Sequence, residues 1–152
     1  YSHLFNLHTT GLRFFTVYGP WGRPDMAMYI FSKNIINNKK IQVFNHGNMQ
    51  RDFTYIDDII SGIRLSIDNN YKCEVFNLGN NSCEKLMYVI SLLEESLGEK
   101  AKIEFKGMQK GDVKKTFADI NYSKKKLGYN PSTKISQGIP RFIDWFNNYH
   151  KR

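Results

Sequence analysis

Apolar residues along the chain fall in short runs that alternate between strand-like and helix-like spacing. Leu12 to Tyr18 is rich in aromatic and β-branched residues and stops at Gly19-Pro20, which predicts a buried strand. Ala27 to Ile36 has helical spacing, with Phe31 and Ile35 as its packing residues. Ile41 to Phe44 predicts a short strand, Asn45-His46-Gly47-Asn48 a turn, and Asp52 to Tyr55 another extended stretch. Ile56, Ile60, Ile63 and Ile67 then follow i, i+4, i+7, i+11, one continuous apolar stripe of a helix. Asp57 and Asp58 occupy its first turn, where the helix dipole favours carboxylates.

Glu74 to Leu78 predicts a strand ending at Gly79. Asn81-x-x-Glu84 has the form of a capping box, which would open a helix with Leu86, Ile90, Leu93 and Leu97 on one face and Gly98 as its stop. Lys102 to Phe105 reads as a strand, Ser123 to Leu127 as a short helix ended by Gly128, and Ile139 to Tyr149 as a final amphipathic helix. Strands separated by helices imply parallel crossovers and an α/β class. A complete doubly wound sheet needs more strands, so residues 1–152 are expected to form one domain of a larger α/β unit.

Composition narrows the picture. With 152 residues, 41% hydrophobic and 14% aromatic, the chain can bury one ordinary core and is not a disordered polymer. It begins at Tyr1 without Met, as a piece of a longer protein would. No apolar run approaches the roughly 20 residues that cross a bilayer, and no charged leader precedes one. A soluble, cytoplasmic chain without a membrane partner is the expectation. Cys73 and Cys83 lack metal-ligand spacing and read as reduced thiols. The net charge of +8 suits an anionic partner without choosing one. Lys39-Lys40, Lys114-Lys115 and Lys124-Lys125-Lys126 lack interleaved stacking aromatics, so they read as solvated faces and nucleic acid is not expected.

No G-x-G-x-x-G or P-loop occurs, which excludes an independent dinucleotide site of that type. The anion-binding candidates are Arg23, held between Gly22 and Pro24, and Arg51, which follows a glycine turn while its neighbour Asp52 points to the opposite side. Gly111-Asp112 combines a tight turn with a carboxylate able to accept from sugar hydroxyls. Histidines 3, 8, 46 and 150 are scattered, and no metal site is expected. Asp57-Asp58 reads as a helix start rather than an acid/base pair. Tyr29 to Lys33 and Tyr122 to Lys126 both match Tyr-x-x-x-Lys, but about one match is expected by chance, and neither is assigned to catalysis.

Taken together, GLRFFTVYGPWGRPDMA (11–27), FNHGNMQRDFTYIDDI (44–59), FNLGN (76–80), GDV (111–113) and KKLGYNP (125–131) resemble, in order, the C-terminal part of an extended short-chain dehydrogenase/reductase of the nucleotide-sugar epimerase family. The Gly-Pro-Trp-Gly-Arg-Pro-Asp-Met loop is most similar to UDP-glucuronate 4-epimerases; galactose enzymes usually carry Asn where Thr16 stands. The resemblance implies a substrate-binding portion with the last parallel strands of a Rossmann domain whose NAD-binding part precedes Tyr1. It puts Thr16 and Arg23 on the sugar carboxylate, Arg51 on the diphosphate and Asp112 on the ribose. Gln42, Val43 and Phe44 would lie along the uracil, and Val17 and Tyr18 near the nicotinamide of NAD.

The family's Arg three residues before the aspartate is Gln109 here, and Lys110 replaces a usual Pro. The family's catalytic Tyr and Lys would also precede Tyr1, so no catalytic residue is assigned and the chain alone is expected to be inactive. The resemblance further implies a homodimeric full-length enzyme, whose removed half would leave apolar faces free to self-associate. A free-standing UDP-sugar-binding module, or a degenerate remnant without catalysis, stays open as an alternative. So does, within the family, a UDP-glucose/galactose 4-epimerase, a dehydratase or a decarboxylase.

Overall fold

A computed structural model describes residues 1–151. In chain order the elements are α1 (Ser2–Phe5), β1 (Thr9–Phe14), β2 (Thr16–Tyr18), α2 (Ala27–Ile36), β3 (Lys40–Val43), a 3-10 turn at Phe44–Gly47, β4 (Gln50–Arg51) and β5 (Phe53–Tyr55). They continue with α3 (Ile56–Asn69), β6 (Cys73–Leu78), β7 (Glu84–Lys85), α4 (Leu86–Leu97), β8 (Lys102–Phe105), α5 (Asn121–Leu127) and α6 (Ile135–Tyr149). The strands form four two-stranded ladders: β1 with β6, β2 with β5 and β3 with β8 are parallel, while β4 with β7 is antiparallel. This is the α/β architecture with parallel crossovers expected from the alternation of strands and helices.

Two buried clusters result. The larger joins Tyr18, Phe53 and Tyr55 of the β2/β5 pair and Ile41 and Val43 of β3 to α2, α4 and α6. Phe31 and Ile35 are buried there, as the helical spacing of α2 requires. The smaller sets Phe76 and Leu78 of β6 against Ile59 of α3, Leu127 of α5 and Tyr129.

Several local expectations need correction. The strand read over Leu12 to Tyr18 starts earlier and divides at Phe15, because β1 and β2 pair with different partners. Of residues 12–18 only Tyr18 is buried; Phe14 shares the face of Leu12, Phe76 and Leu78 but is 49% exposed, because it borders the open groove beside α3. In α3 the isoleucine stripe is not the buried face. Ile60 and Ile67 are 54% and 70% exposed, whereas Ile59, Gly62 and Ser66 pack inward. Gly62 faces Leu78 so closely that a Cβ would come within 2.8 Å of it.

Asn81-x-x-Glu84 is not a capping box. Glu84 and Lys85 form β7, paired with Arg51 and Gln50, and α4 starts after them at Leu86. Phe44 belongs to the 3-10 turn rather than to β3. α5 begins at Asn121, and α6 begins at Ile135 and runs through Pro140. Cys73 and Cys83 are free thiols. Among the described residues no helix is long and apolar enough to cross a membrane, and no His/Cys/Asp/Glu group could hold a metal ion.

Candidate functional site

Arg51 ends β4, and Asp112 stands on a turn that Gly111 makes with φ of 83°. The turn is closed by the Asp112 N–H donating to the Gln109 carbonyl at 3.3 Å. Across 61 positions of sequence, Arg51 Nη2 donates to Asp112 Oδ1 at 2.7 Å. Its Nη1 donates to the carbonyls of Gln50 at 2.9 Å and Lys114 at 3.3 Å. Both side chains of the ion pair are partly buried, 19% and 31% exposed, so solvent screens it less than a surface pair. The fork is thus held in place with N–H donors to spare, since Arg carries more than these bonds use.

Asp52 faces the other way. It is fully buried, accepting from the Asn80 N–H at 2.8 Å, the Ala118 N–H at 3.1 Å and the Thr54 hydroxyl at 3.1 Å. Its carbonyl accepts from the Thr16 N–H at 3.1 Å, which fixes β2 beside β5. Asp52 therefore locks together the segments that carry Thr16, Arg51 and the stretch after Asp112. Sequence reasoning missed this role, because the partners are distant in the chain. Asp58 acts similarly, accepting from the N–H groups of Ser132 and Thr133 in addition to lying in the first turn of α3.

The loop after β2 forms a second part. Gly19 has φ of 140°, and a Cβ there would stand 2.5 Å from the Ile56 side chain, so only glycine lets the chain turn this close to α3. Beyond it lies an apolar groove of about 400 Å³ between β1, β2 and α3, lined by Phe15, Val17, Pro20, Trp21, Arg23 and Ile56 among others. Arg23 is exposed and makes a two-pronged pair with Asp25, Nε to Oδ1 at 3.0 Å and Nη2 to Oδ2. Thr16 is half-buried and does not line that groove, so the structure does not bring Thr16 and Arg23 onto a common wall of it.

Val17 turns its side chain to the groove, whereas the Tyr18 side chain enters the core, edge-on to Phe53 and Tyr55. The Tyr18 hydroxyl is buried without a partner, and burial pushes its pKa far above the usual tyrosine value. Gln42 is exposed, Val43 is fully buried and Phe44 is half-buried at the head of the 3-10 turn. Both Tyr-x-x-x-Lys tyrosines are engaged elsewhere: Tyr29 with His150 Nε2 at 2.9 Å, and Tyr122 donating to Glu74 at 2.8 Å.

Comparison with known proteins identifies the family of the chain that carries these loops, the Arg51–Asp112 pair and the groove. The profile of the NAD dependent epimerase/dehydratase family matches residues 1–79. The chain belongs to this family.

An uncharacterized protein of Methanocaldococcus jannaschii is 53% identical over 146 residues, covering 96% of this chain and 45% of that protein. UDP-glucuronate 4-epimerase 4 of Arabidopsis thaliana is 42% identical over 167 residues, covering 99% of this chain and 38% of that protein. The crystal structure of UDP-glucuronic acid 4-epimerase from Bacillus cereus, in complex with UDP-glucuronic acid and NAD, matches with a TM-score of 0.90 at 35% identity, over 97% of this chain and 48% of that one. The chain spans about half the length, or less, of these epimerase/dehydratase relatives.

Proposed function

We propose that this chain is the substrate-binding part of an NAD-dependent nucleotide-sugar 4-epimerase that interconverts UDP-glucuronate and UDP-galacturonate through a 4-keto sugar. The observation that carries the reading is the Arg51–Asp112 junction, where a half-buried guanidinium with unused donors sits beside a turn carboxylate. Such a fork suits the diphosphate, and the Asp112 carboxylate has acceptor capacity left for ribose hydroxyls. Gln42, Val43 and Phe44 offer backbone groups to the uracil.

Thr16 and Arg23 select the sugar carboxylate. The Asp25 carboxylate that Arg23 now grips is the kind of partner a uronate would replace. The groove beside Val17 is apolar, which suits the flat nicotinamide end of NAD. When bound, NAD takes up and returns the hydride at the sugar C4. This chain's residues bind and orient the substrate; with neither Tyr-x-x-x-Lys tyrosine free in the groove, the chain alone turns over no substrate.

The test is calorimetric titration with UDP, UDP-glucose and UDP-glucuronate, on the chain and on Arg23→Ala. Saturable UDP binding is expected, with glucuronate tighter than glucose. Arg23→Ala should weaken UDP-glucuronate several-fold and leave UDP almost unchanged, because it removes one charge-assisted contact. Equal losses for both ligands would refute the carboxylate role of Arg23, and turnover by the unaided chain would refute its inactivity.

A further inference from the structure

On the face of the β4/β7 ladder opposite Arg51 lies a second basic groove. Gln50 is paired with Lys85 on one side and bridged to Lys115 on the other, and directly paired residues project to the same face. Lys85, Gln50 and Lys115 therefore stand in a row across three adjacent segments, rooted about 10 Å from first to last. Arg51 follows Gln50 in the strand and so projects to the other face, where it meets Asp112. A groove of about 550 Å³ lies on the Lys85 side; His46 and Lys114 also line it, and no carboxylate does.

Its positive charge is uncompensated. No ion pair among the described residues includes Lys85, Lys114 or Lys115, and the recorded contact of the Lys115 ammonium is with the Phe117 ring, 5.8 Å from its centroid. The 12-residue helix α4 also starts here. Its N-cap, Lys85, makes no side-chain cap, the Leu86 N–H is taken by the Met49 carbonyl, and Met87, next in the first turn, lines the groove. A helix start adds unpaired N–H donors and the positive end of the dipole. Asn45, His46 and Gly47 on the rim all have φ between 49° and 81°, a conformation that non-glycine residues keep only where the surroundings enforce it.

We infer that this groove is a second anion site that takes a diphosphate group, free or as part of a nucleoside diphosphate, separate from the Arg51–Asp112 face. Two flexible ammonium groups flanking a helix start repel one another until an anion enters, and a diphosphate offers oxygens to both at once. None of Thr16, Arg23, Arg51 or Asp112 lines the groove, so the site is distinct from the proposed substrate position, although Arg51 bonds the Gln50 and Lys114 carbonyls from the other face.

Titration of the chain with pyrophosphate and, separately, with ADP at low ionic strength tests it. Saturable binding is expected, weakening as salt is added. The double substitution Lys85→Gln/Lys115→Gln should lower affinity by about tenfold or more, while Lys85→Arg/Lys115→Arg keeps it. Lys124→Gln/Lys125→Gln, which removes the same charge from α5 outside the groove, should change it by no more than about twofold. ADP binding tighter than pyrophosphate would assign the site to nucleotides, and equal affinity to the diphosphate alone; either supports it. Absent binding, binding unchanged in the Lys85→Gln/Lys115→Gln variant, or an equal loss in Lys124→Gln/Lys125→Gln would overturn it. All four lysines are exposed, so an unchanged thermal transition verifies that the variants fold. Arg51→Gln also separates the two readings, since UDP-glucuronate binding should fall there even if pyrophosphate never binds.

Discussion

Asp52 carries a carboxyl group into the interior, and three donors meet it there. Asp52→Ala would leave the Asn80 and Ala118 N–H groups without their acceptor in the interior, so a loss of about 3 to 5 kcal/mol is expected from denaturant unfolding. Asp52→Asn keeps an acceptor oxygen and should lose visibly less; equal losses would argue against the hydrogen-bond account. Glu94 is a different case. Burial pushes its carboxyl pKa up, but the Ala101 N–H and the Lys100 ammonium, both within hydrogen-bond reach, outweigh this and hold it below the usual range. A lowered folded pKa means that Glu94 contributes fully above the unfolded value of about 4.3 and progressively less as pH falls through the lower folded value. The stability gap between the parent chain and Glu94→Gln should therefore close as pH drops below about 4; a gap that stays constant would contradict the linkage. Arg51 and Asp112 could each be picked out from their turn contexts. That they grip each other could not, because they stand 61 positions apart in the chain.

At the scale of elements, α6 shows how packing overrules local propensity. Pro140 lacks the N–H of an interior helix position and suits a first turn, which is why the sequence suggests a helix starting at Ile139. Yet Ile135, Gly138, Ile139, Phe142, Ile143 and Phe146 form one buried face, and Pro140 sits exposed on the opposite side. Burial of that face outweighs the one missing bond. Gly138 belongs to it for a steric reason: a Cβ would stand 2.0 Å from the Tyr18 hydroxyl. Gly138→Ala should cost roughly 1 to 3 kcal/mol through overpacking, and Tyr18→Phe in the same chain should recover part of the loss by removing the nearest clashing atom, which is also an unpartnered buried hydroxyl, while the ring carbon behind it still stands 2.8 Å from the new Cβ. A Gly138→Ala variant as stable as the parent would show that α6 can shift away. β7 failed as a capping box for a related reason. Glu84 and Lys85 look like a helix opening in isolation, and only the approach of β4 turns them into strand.

Across the whole molecule, the exposed apolar side chains Phe14, Val75, Ile60 and Ile67 lie on β1, β6 and α3. Faces of this kind seek cover. The chain is expected to self-associate with concentration in sedimentation velocity, and Ile60→Glu/Ile67→Glu should shift it toward monomer; a concentration-independent monomer would exclude the association. The isoleucine period in α3 was legible, but the direction it faces was not, since periodicity defines a stripe and not its partner. Alternation of strand and helix, the glycine stops at Gly98 and Gly128, and the loop from Gly19 to Asp25 are local properties of side-chain shape and backbone freedom, and the sequence by itself determined them. Tertiary structure alone decided the break at Phe15, the β4/β7 ladder, the burial of Asp52 and the division of the two arginines between a poised junction and an exposed loop. Each of these depends on hydrogen bonds and contacts between segments far apart in the chain, whose energies exist only once the fold has brought them together.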